Sequence, residues 1–157
     1  MKIAVVALGK IGLPLAVQFA KKGHHVIGCD VNPKTVELVN AGTEPFPGEA
    51  HLDAYMKEVV SSGHLKATTD TTAAVAESEA VVIVVPLFVD NDGVPDFGWM
   101  DEATEKIAAG LKPGQEVTVT AVDHAQGTIA LSFAGTATTV ELDDAAGAFV
   151  RSASLAV

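Results

Sequence analysis

The sequence predicts an α/β fold with a doubly wound parallel sheet and a β-meander added at its C-terminal end. Apolar, β-branched stretches of strand length alternate with helically spaced stretches as far as about residue 112. Glycine, proline or asparagine stands at most of the changeovers, as expected of turns and helix caps. After residue 114 the stretches alternate Val with Thr or Ala, and hairpin-sized gaps separate them.

The N-terminal elements follow from apolar spacing and capping residues. Gly23 suits the end of the first helix, because a left-handed residue commonly closes a helix. Asn32 and Pro33 suit the N-cap and first position of the second helix, and Asp70 suits the N-cap of a later one. The predicted strands are 2–7, 25–29, 65–68 and 80–85, and the predicted helices are 11–22, 33–40, 50–62, 72–76 and 100–110, with a polar loop at 90–98.

The C-terminal stretch has a different texture, so we predict a boundary near residue 114. Residues 1–114 would form one domain, and residues 115–157 a β-rich tail that could complete its sheet. Strands are predicted at 117–122, 128–133 and 138–142. The first could take the next parallel position in the sheet, and the other two would then add antiparallel to it or form a flap.

Charge and composition exclude several classes of protein. The net charge is −10, and residues 67–157 alone carry −11, which disfavours nucleic-acid binding. A phosphate-bearing small ligand would suit the near-neutral first 66 residues. The longest apolar run, 80–89, contains a proline and is too short for a membrane span, and no signal-peptide pattern opens the chain. With a single cysteine, Cys29, these features predict a cytoplasmic protein without an internal disulfide.

Residues 7–12 read ALGKIG, close to the G-x-G-x-x-G fingerprint of dinucleotide-binding Rossmann folds. Gly9 would let the backbone approach a pyrophosphate, and Gly12 would let the helix pack closely on the strand. The helix N-terminus would supply free N–H groups and a positive dipole end. Ala7 replaces the first glycine and constrains the entry turn. The alternative is a strand–turn–helix without a ligand.

Asp30 ends the second predicted strand, 18 residues after Gly12. An acid at about this spacing holds the ribose hydroxyls and repels a 2′-phosphate, so it favours NAD over NADP, although Lys34 weakens that preference. Pro86 and Leu87 follow the strand at 80–85, where ligands of doubly wound sheets bind, or they simply end that strand. A methyltransferase that holds the ribose of S-adenosylmethionine through Asp30 is a further alternative.

Other candidate sites are weaker. Residues 90–93 (DNDG) suggest a calcium loop, but Asp101 stands where a bidentate glutamate is needed, so a polar turn is preferred. Cys29 lies within a strand and is predicted to be an inert buried thiol. Ser61, Ser62 and His64 lack a nucleophile-elbow motif, and the histidines show no metal-ligand spacing. We therefore predict no catalytic residue and no metal site.

Several motifs occur together in one order: VVALGKIGLPLAVQFAKKGHHVIGCDVNPKTVELVNAG, EPFPGEA, TTD and VVIVVPLFVDNDGVPDFGWMD. Over about residues 1–114 the chain resembles the N-terminal domain of the UDP-glucose/GDP-mannose dehydrogenase family, above all its UDP-N-acetylmannosamine dehydrogenase type. Members use NAD to oxidise the sugar 6-hydroxyl to a carboxylate in two steps, which implies polysaccharide biosynthesis. The resemblance implies a site with Gly9, Lys10, Ile11 and Gly12 at the pyrophosphate, Asp30 and Lys34 at the adenosine ribose, and Pro86 and Leu87 on the nicotinamide side.

The chain departs from this family after residue 114. Residues 119–124 replace a Thr-Thr, Pro-x-Gly-Thr signature, and the family's later glutamate, lysine, asparagine and nucleophilic cysteine have no counterpart. Cys29 does not match that cysteine's motif. The resemblance therefore implies an NAD-binding domain that is inactive alone and meets a nucleotide sugar only if a substrate domain is supplied. A non-catalytic dinucleotide-binding module is the alternative, and a homo-oligomer stays open.

Overall fold

A computed structural model describes residues 1–46, 48–49 and 51–112, and the backbone of 115–123 and 128–134. The helices and strands alternate along most of this length. In chain order they are β1 (Lys2–Val6), α1 (Gly12–Lys21), β2 (His25–Cys29), α2 (Pro33–Asn40), α3 (Leu52–Ser61), β3 (Leu65–Thr68), α4 (Thr71–Glu77), β4 (Ala80–Ile83), β5 (Phe88–Val89), β6 (Pro95–Asp96), α5 (Gly98–Gly110), β7 (Gln115–Asp123) and β8 (Thr128–Ala134).

The main sheet has six strands in the order β3-β2-β1-β4-β8-β7. Strands β3, β2, β1 and β4 are parallel, as predicted for a Rossmann-like fold. The chain winds outward from β1 through β2 to β3 and then returns to place β4 on the other side of β1. This reversal creates a crevice at the carboxyl ends of β1 and β4, where doubly wound proteins bind their ligands.

Both faces of the sheet are covered, because consecutive strand residues point to opposite sides. Ile3 and Val5 of β1 pack into a core with α1, α2 and α3. Ala4 and Val6 pack into a second core with α4 and α5. Strand β1 is therefore apolar throughout its buried length, which explains the continuous apolar stretch in the sequence.

The predicted helix caps are confirmed. The Asn32 side chain accepts a hydrogen bond from the N–H of Lys34 at 3.0 Å, and Pro33 occupies the first position of α2. The Asp70 carboxylate accepts one from the N–H of Ala73 at 2.9 Å. Gly23, with a φ of +86°, follows α1 in the left-handed conformation. Asn32 and Asp70 accept hydrogen bonds from N–H groups that the helix starts leave unpaired, and Gly23 turns the chain away from the end of α1.

The stretch predicted as a polar loop contains a small hairpin. Strands β5 and β6 pair antiparallel, with Phe88 opposite Asp96. One Asp90 carboxylate oxygen accepts hydrogen bonds from the N–H groups of Asp92 and Val94, at 2.9 and 2.8 Å, and thereby closes the turn. The turn predicted for DNDG is confirmed, whereas the pairing of residues 95–96 with residues 88–89 across it was not predicted.

The tail joins the sheet in an unexpected order. Strand β8 lies antiparallel beside β4, and β7 pairs antiparallel with β8 at the sheet edge. The expectation that residues 117–122 occupy the next parallel position was wrong. The short connection between β7 and β8 makes a hairpin, and the second strand of this hairpin takes the edge of β4. The predicted strand at 138–142 lies outside the described residues. Among the described helices, none combines the length and apolar character needed to cross a bilayer.

Replacing the Asp70 cap tests the local origin of α4. We expect Asp70→Ala to lower the free energy of unfolding by about 1 kcal/mol, because the N–H of Ala73 loses its acceptor. Thr69→Ala, an exposed neighbour outside the helix, is the control and should change stability by less than about 0.5 kcal/mol. Urea denaturation measures both, and equal stability of the two variants would contradict the capping role.

Candidate functional site: the β1–α1 turn and the end of β2

The turn between β1 and α1 is extremely tight. Ala7 has a φ of +76°, although it is not a glycine. Its N–H donates to the Cys29 carbonyl of β2 at 2.8 Å, which fixes the start of the turn. A Cβ at Gly12 would lie only 1.9 Å from the Ala7 carbonyl oxygen. Residue 12 must therefore be glycine for α1 to begin where it does.

Gly9 lies at the tip of this turn and faces open space. A Cβ built there meets no atom within 4 Å, so the protein itself does not require this glycine. Ile11 occupies the N-cap of α1, provides no capping hydrogen bond and is exposed. The first N–H groups of α1 therefore lack a side-chain cap, which is the arrangement that suits an anion at a helix N-terminus.

Asp30 lies at the carboxyl end of β2, and both of its carboxylate oxygens are held by backbone donors. One oxygen accepts from the N–H of Leu8 at 2.9 Å, and the other accepts from the N–H of Asn32 at 2.9 Å. The carboxylate therefore links Leu8 to the start of α2. Leu8 directly precedes residues 9–12, which we name the glycine turn. The orientation of the carboxylate is fixed before any ligand is considered, and each oxygen keeps a further lone pair for a hydroxyl donor.

The remaining predicted residues surround this region. Lys10 is exposed beside Gly9, and Lys34 lies in the first turn of α2 with its ammonium group 2.9 Å from Glu37. Pro86 and Leu87 are both exposed beyond the end of β4. The segment before them passes the glycine turn, since the Val84 N–H donates to the Val6 carbonyl at 2.9 Å.

Cys29 is unsuited to nucleophilic catalysis. Its side chain is fully buried, and burial is the main cause that raises its thiol pKa to about 12. A hydrogen bond with Thr71 acts in the opposite direction but does not offset burial. The thiol therefore stays protonated at neutral pH, as predicted. Within the described part of the chain, no three potential metal-ligating side chains cluster together.

Sequence reasoning missed one contributor, Gly28 in the middle of β2. A Cβ there would lie 2.8 Å from both methyl groups of Leu8, the residue just before Gly9. Leu8 itself is completely buried. A glycine inside an otherwise apolar strand marks a close approach of another chain segment, and that signal was available in the HVIGC stretch.

Comparisons with known proteins assign the chain to a family. The sequence profile described as the UDP-glucose/GDP-mannose dehydrogenase family, NAD binding domain, matches residues 1–142. The chain belongs to this family. The profile identifies the matched region as the family's NAD-binding domain.

Individual relatives agree with this assignment. A UDP-N-acetyl-D-mannosamine dehydrogenase of Yersinia pestis is 40% identical over 115 residues, 73% of this chain and 26% of that protein. The structure resembles GDP-mannose dehydrogenase from Pseudomonas aeruginosa, with a TM-score of 0.67, 31% identity, and coverage of 70% of this chain and 25% of that one. The chain thus spans about a quarter of the length of these relatives.

The strained Ala7 gives a test of the turn geometry. We expect Ala7→Gly to raise the free energy of unfolding by about 1 kcal/mol, because glycine adopts a positive φ without the steric cost that alanine bears. The matched control is Ala73→Gly on the exposed side of α4, which should lower it by a similar amount. Thermal and urea unfolding measure both changes, and destabilisation by Ala7→Gly would contradict the observed turn.

Proposed function

We propose that the chain is the NAD-holding part of a nucleotide-sugar 6-dehydrogenase and performs no oxidation by itself. The observation that carries this proposal is the open space at Gly9, beside the uncapped start of α1. A glycine that the fold does not need is explained by a ligand whose approach a side chain would block. The pyrophosphate of NAD, facing Gly9, Lys10, Ile11 and Gly12, suits that position.

The polar groups near the turn fit the other parts of NAD. Asp30 would accept hydrogen bonds from the adenosine ribose hydroxyls through its remaining lone pairs, and Lys34 would lie near the same ribose. Because the carboxylate is already fixed, it would repel a 2′-phosphate, which favours NAD over NADP. Pro86 and Leu87, exposed at the end of β4, would lie beside the nicotinamide.

The oxidation itself needs groups beyond this site. Bound NAD would supply a two-electron acceptor for the sugar alcohol, while the chain would bind and orient it. Cys29 is buried and protonated, so it would not form the covalent intermediate needed to take the aldehyde to a carboxylate. Turnover would require a substrate-binding polypeptide, and the setting we propose is cytoplasmic synthesis of polysaccharide precursors.

A non-catalytic NAD-binding module is the second candidate. It is favoured by the β7–β8 hairpin, which pairs with β4 and completes the sheet from within this chain. Adding the Yersinia pestis relative without its NAD-binding part would distinguish the two candidates. Restored oxidation of UDP-N-acetylmannosamine would support the dehydrogenase part, and NAD binding without restored oxidation would support the module.

Gly9 allows binding to be separated from folding. We expect Gly9→Ala to keep the wild-type melting temperature, because its Cβ meets no protein atom, and to weaken NAD binding tenfold or more, or about 1.4 kcal/mol. Calorimetry with NAD, NADP and S-adenosylmethionine measures binding, and NAD should bind most tightly.

The comparison variant is Gly12→Ala, which should lower both stability and affinity because its Cβ would overlap the Ala7 carbonyl. Unchanged NAD affinity of Gly9→Ala, or no binding of NAD by the wild type, would refute the proposed site.

Absence of turnover is a separate prediction. With NAD and UDP-glucose, UDP-N-acetylmannosamine or GDP-mannose, we expect no NADH absorbance above the background of a Gly12→Ala control. The reason is that turnover would require a substrate-binding polypeptide, and that the buried, protonated Cys29 would not serve as the nucleophile. Steady NADH production by the purified chain, absent in the control, would show that catalysis does not require another polypeptide.

A further inference from the structure

Leu8, the residue before the glycine turn, is held by strand β2 from two directions. Its side chain lies over Gly28, where a Cβ would be 2.8 Å from both methyl groups and 3.3 Å from the branching carbon. Its backbone N–H donates to the Asp30 carboxylate at 2.9 Å. Leu8 has no exposed surface, so it lacks free volume in which to move.

Gly28 lies on the same face of β2 as Val26, which packs into the core with α1, and Asp30 follows directly after the strand ends at Cys29. Together Gly28 and Asp30 form a receptor for Leu8, which we name the Leu8 socket. Gly28 supplies the space for the side chain, and Asp30 supplies the acceptor for the backbone. Neither contact was visible in the glycine fingerprint, because 20 residues separate Leu8 from Gly28.

We propose that Leu8 is a positioning residue for NAD. The Leu8 socket would fix the distance between the sheet and the backbone of Gly9, which meets the pyrophosphate. This inference rests on the proposed NAD site. Gly9 follows Leu8 directly, so a shift of Leu8 moves the backbone that meets the pyrophosphate. A side chain added at Gly28 would meet Leu8 first, since the three nearest atoms to a Cβ there all belong to the buried Leu8 side chain.

The socket also gives Asp30 a second role. Its carboxylate fixes the turn through Leu8 in addition to receiving the ribose hydroxyls. Removing the acid therefore removes a ribose contact and loosens the turn in one step. It follows that Asp30→Ala loses affinity for NAD without gaining affinity for NADP, because both cofactors need the same pyrophosphate position.

The decisive variant is Gly28→Ala in the full chain. We expect its NAD affinity to fall tenfold or more, although residue 28 does not face the cofactor. Val26→Ala is the matched control, since Val26 is buried on the same face of β2. It should lower the melting temperature while changing NAD affinity by less than about twofold. Leu8→Ala added to Gly28→Ala removes the three clashing atoms, so the double variant should bind NAD more tightly than Gly28→Ala alone.

A second measurement does not depend on the ligand. In the NAD-free protein, amide hydrogen exchange at Leu8 should be at least tenfold faster in Asp30→Ala than in the wild type, because the N–H loses its acceptor. Val26→Ala should leave that exchange rate within about threefold of the wild type. This readout remains available if Gly28→Ala fails to fold.

The outcomes separate this inference from the proposed function. If the wild type binds NAD but Gly28→Ala binds equally well, or Leu8→Ala does not offset Gly28→Ala, the positioning role is wrong and the NAD site stands. Unchanged Leu8 exchange in Asp30→Ala also overturns the socket. If the wild type does not bind NAD, the proposed function fails and the positioning role fails with it, whatever the exchange rates show.

Discussion

The contact between the Ala7 carbonyl and Gly12 is the constraint on which the candidate site depends. The chain reverses direction over the six residues from Ala7 to Gly12, and the carbonyl oxygen of the first occupies the space that a side chain of the last would need. This closeness requires glycine at position 12 and a left-handed conformation at Ala7. As a result, α1 begins directly above the sheet edge, with its uncapped N-terminus at the crevice beside β4. A wider turn would move those N–H groups away from the point where the strand order reverses.

Hydrogen-bond donors and a negatively charged acceptor lie close together around the glycine turn. The start of α1 presents backbone donors, and Asp30 presents acceptors a short distance away, just after the end of β2. The carboxylate is stabilised by the N–H groups of Leu8 and Asn32, so it does not need a cation. A ligand that joins a diphosphate to a ribose contains the complementary groups in the same sequence. This match explains why the glycine turn and the acid are more informative together than either is alone.

Local features of the fold were predictable, and contacts between distant residues were not. Strands β2 and β3 and the caps at Asn32 and Asp70 followed from apolar runs and short-range capping chemistry. The turn at residues 90–93 was predicted, but the β5–β6 pairing across it was missed because strands of two residues are too short to show an alternating pattern. The strand order of the tail was missed because a hairpin pattern does not reveal which of its two strands meets the sheet. The contact of Asp30 with the N–H of Leu8 was missed for a similar reason, because 22 residues separate the two and no sequence signal joins them.

The residues of the proposed cofactor site all come before the β7–β8 hairpin in the chain. Every residue of the proposed site precedes β5, and the close contacts that shape it come from β1, α1, β2, the start of α2 and the segment after β4. Strand β8 pairs with Val81–Ile83 on the edge of β4 that faces away from β1. That edge needs hydrogen-bond partners, but an antiparallel strand satisfies them as well as a parallel one. The sheet next to the crevice can therefore be completed by an added hairpin without altering the glycine turn.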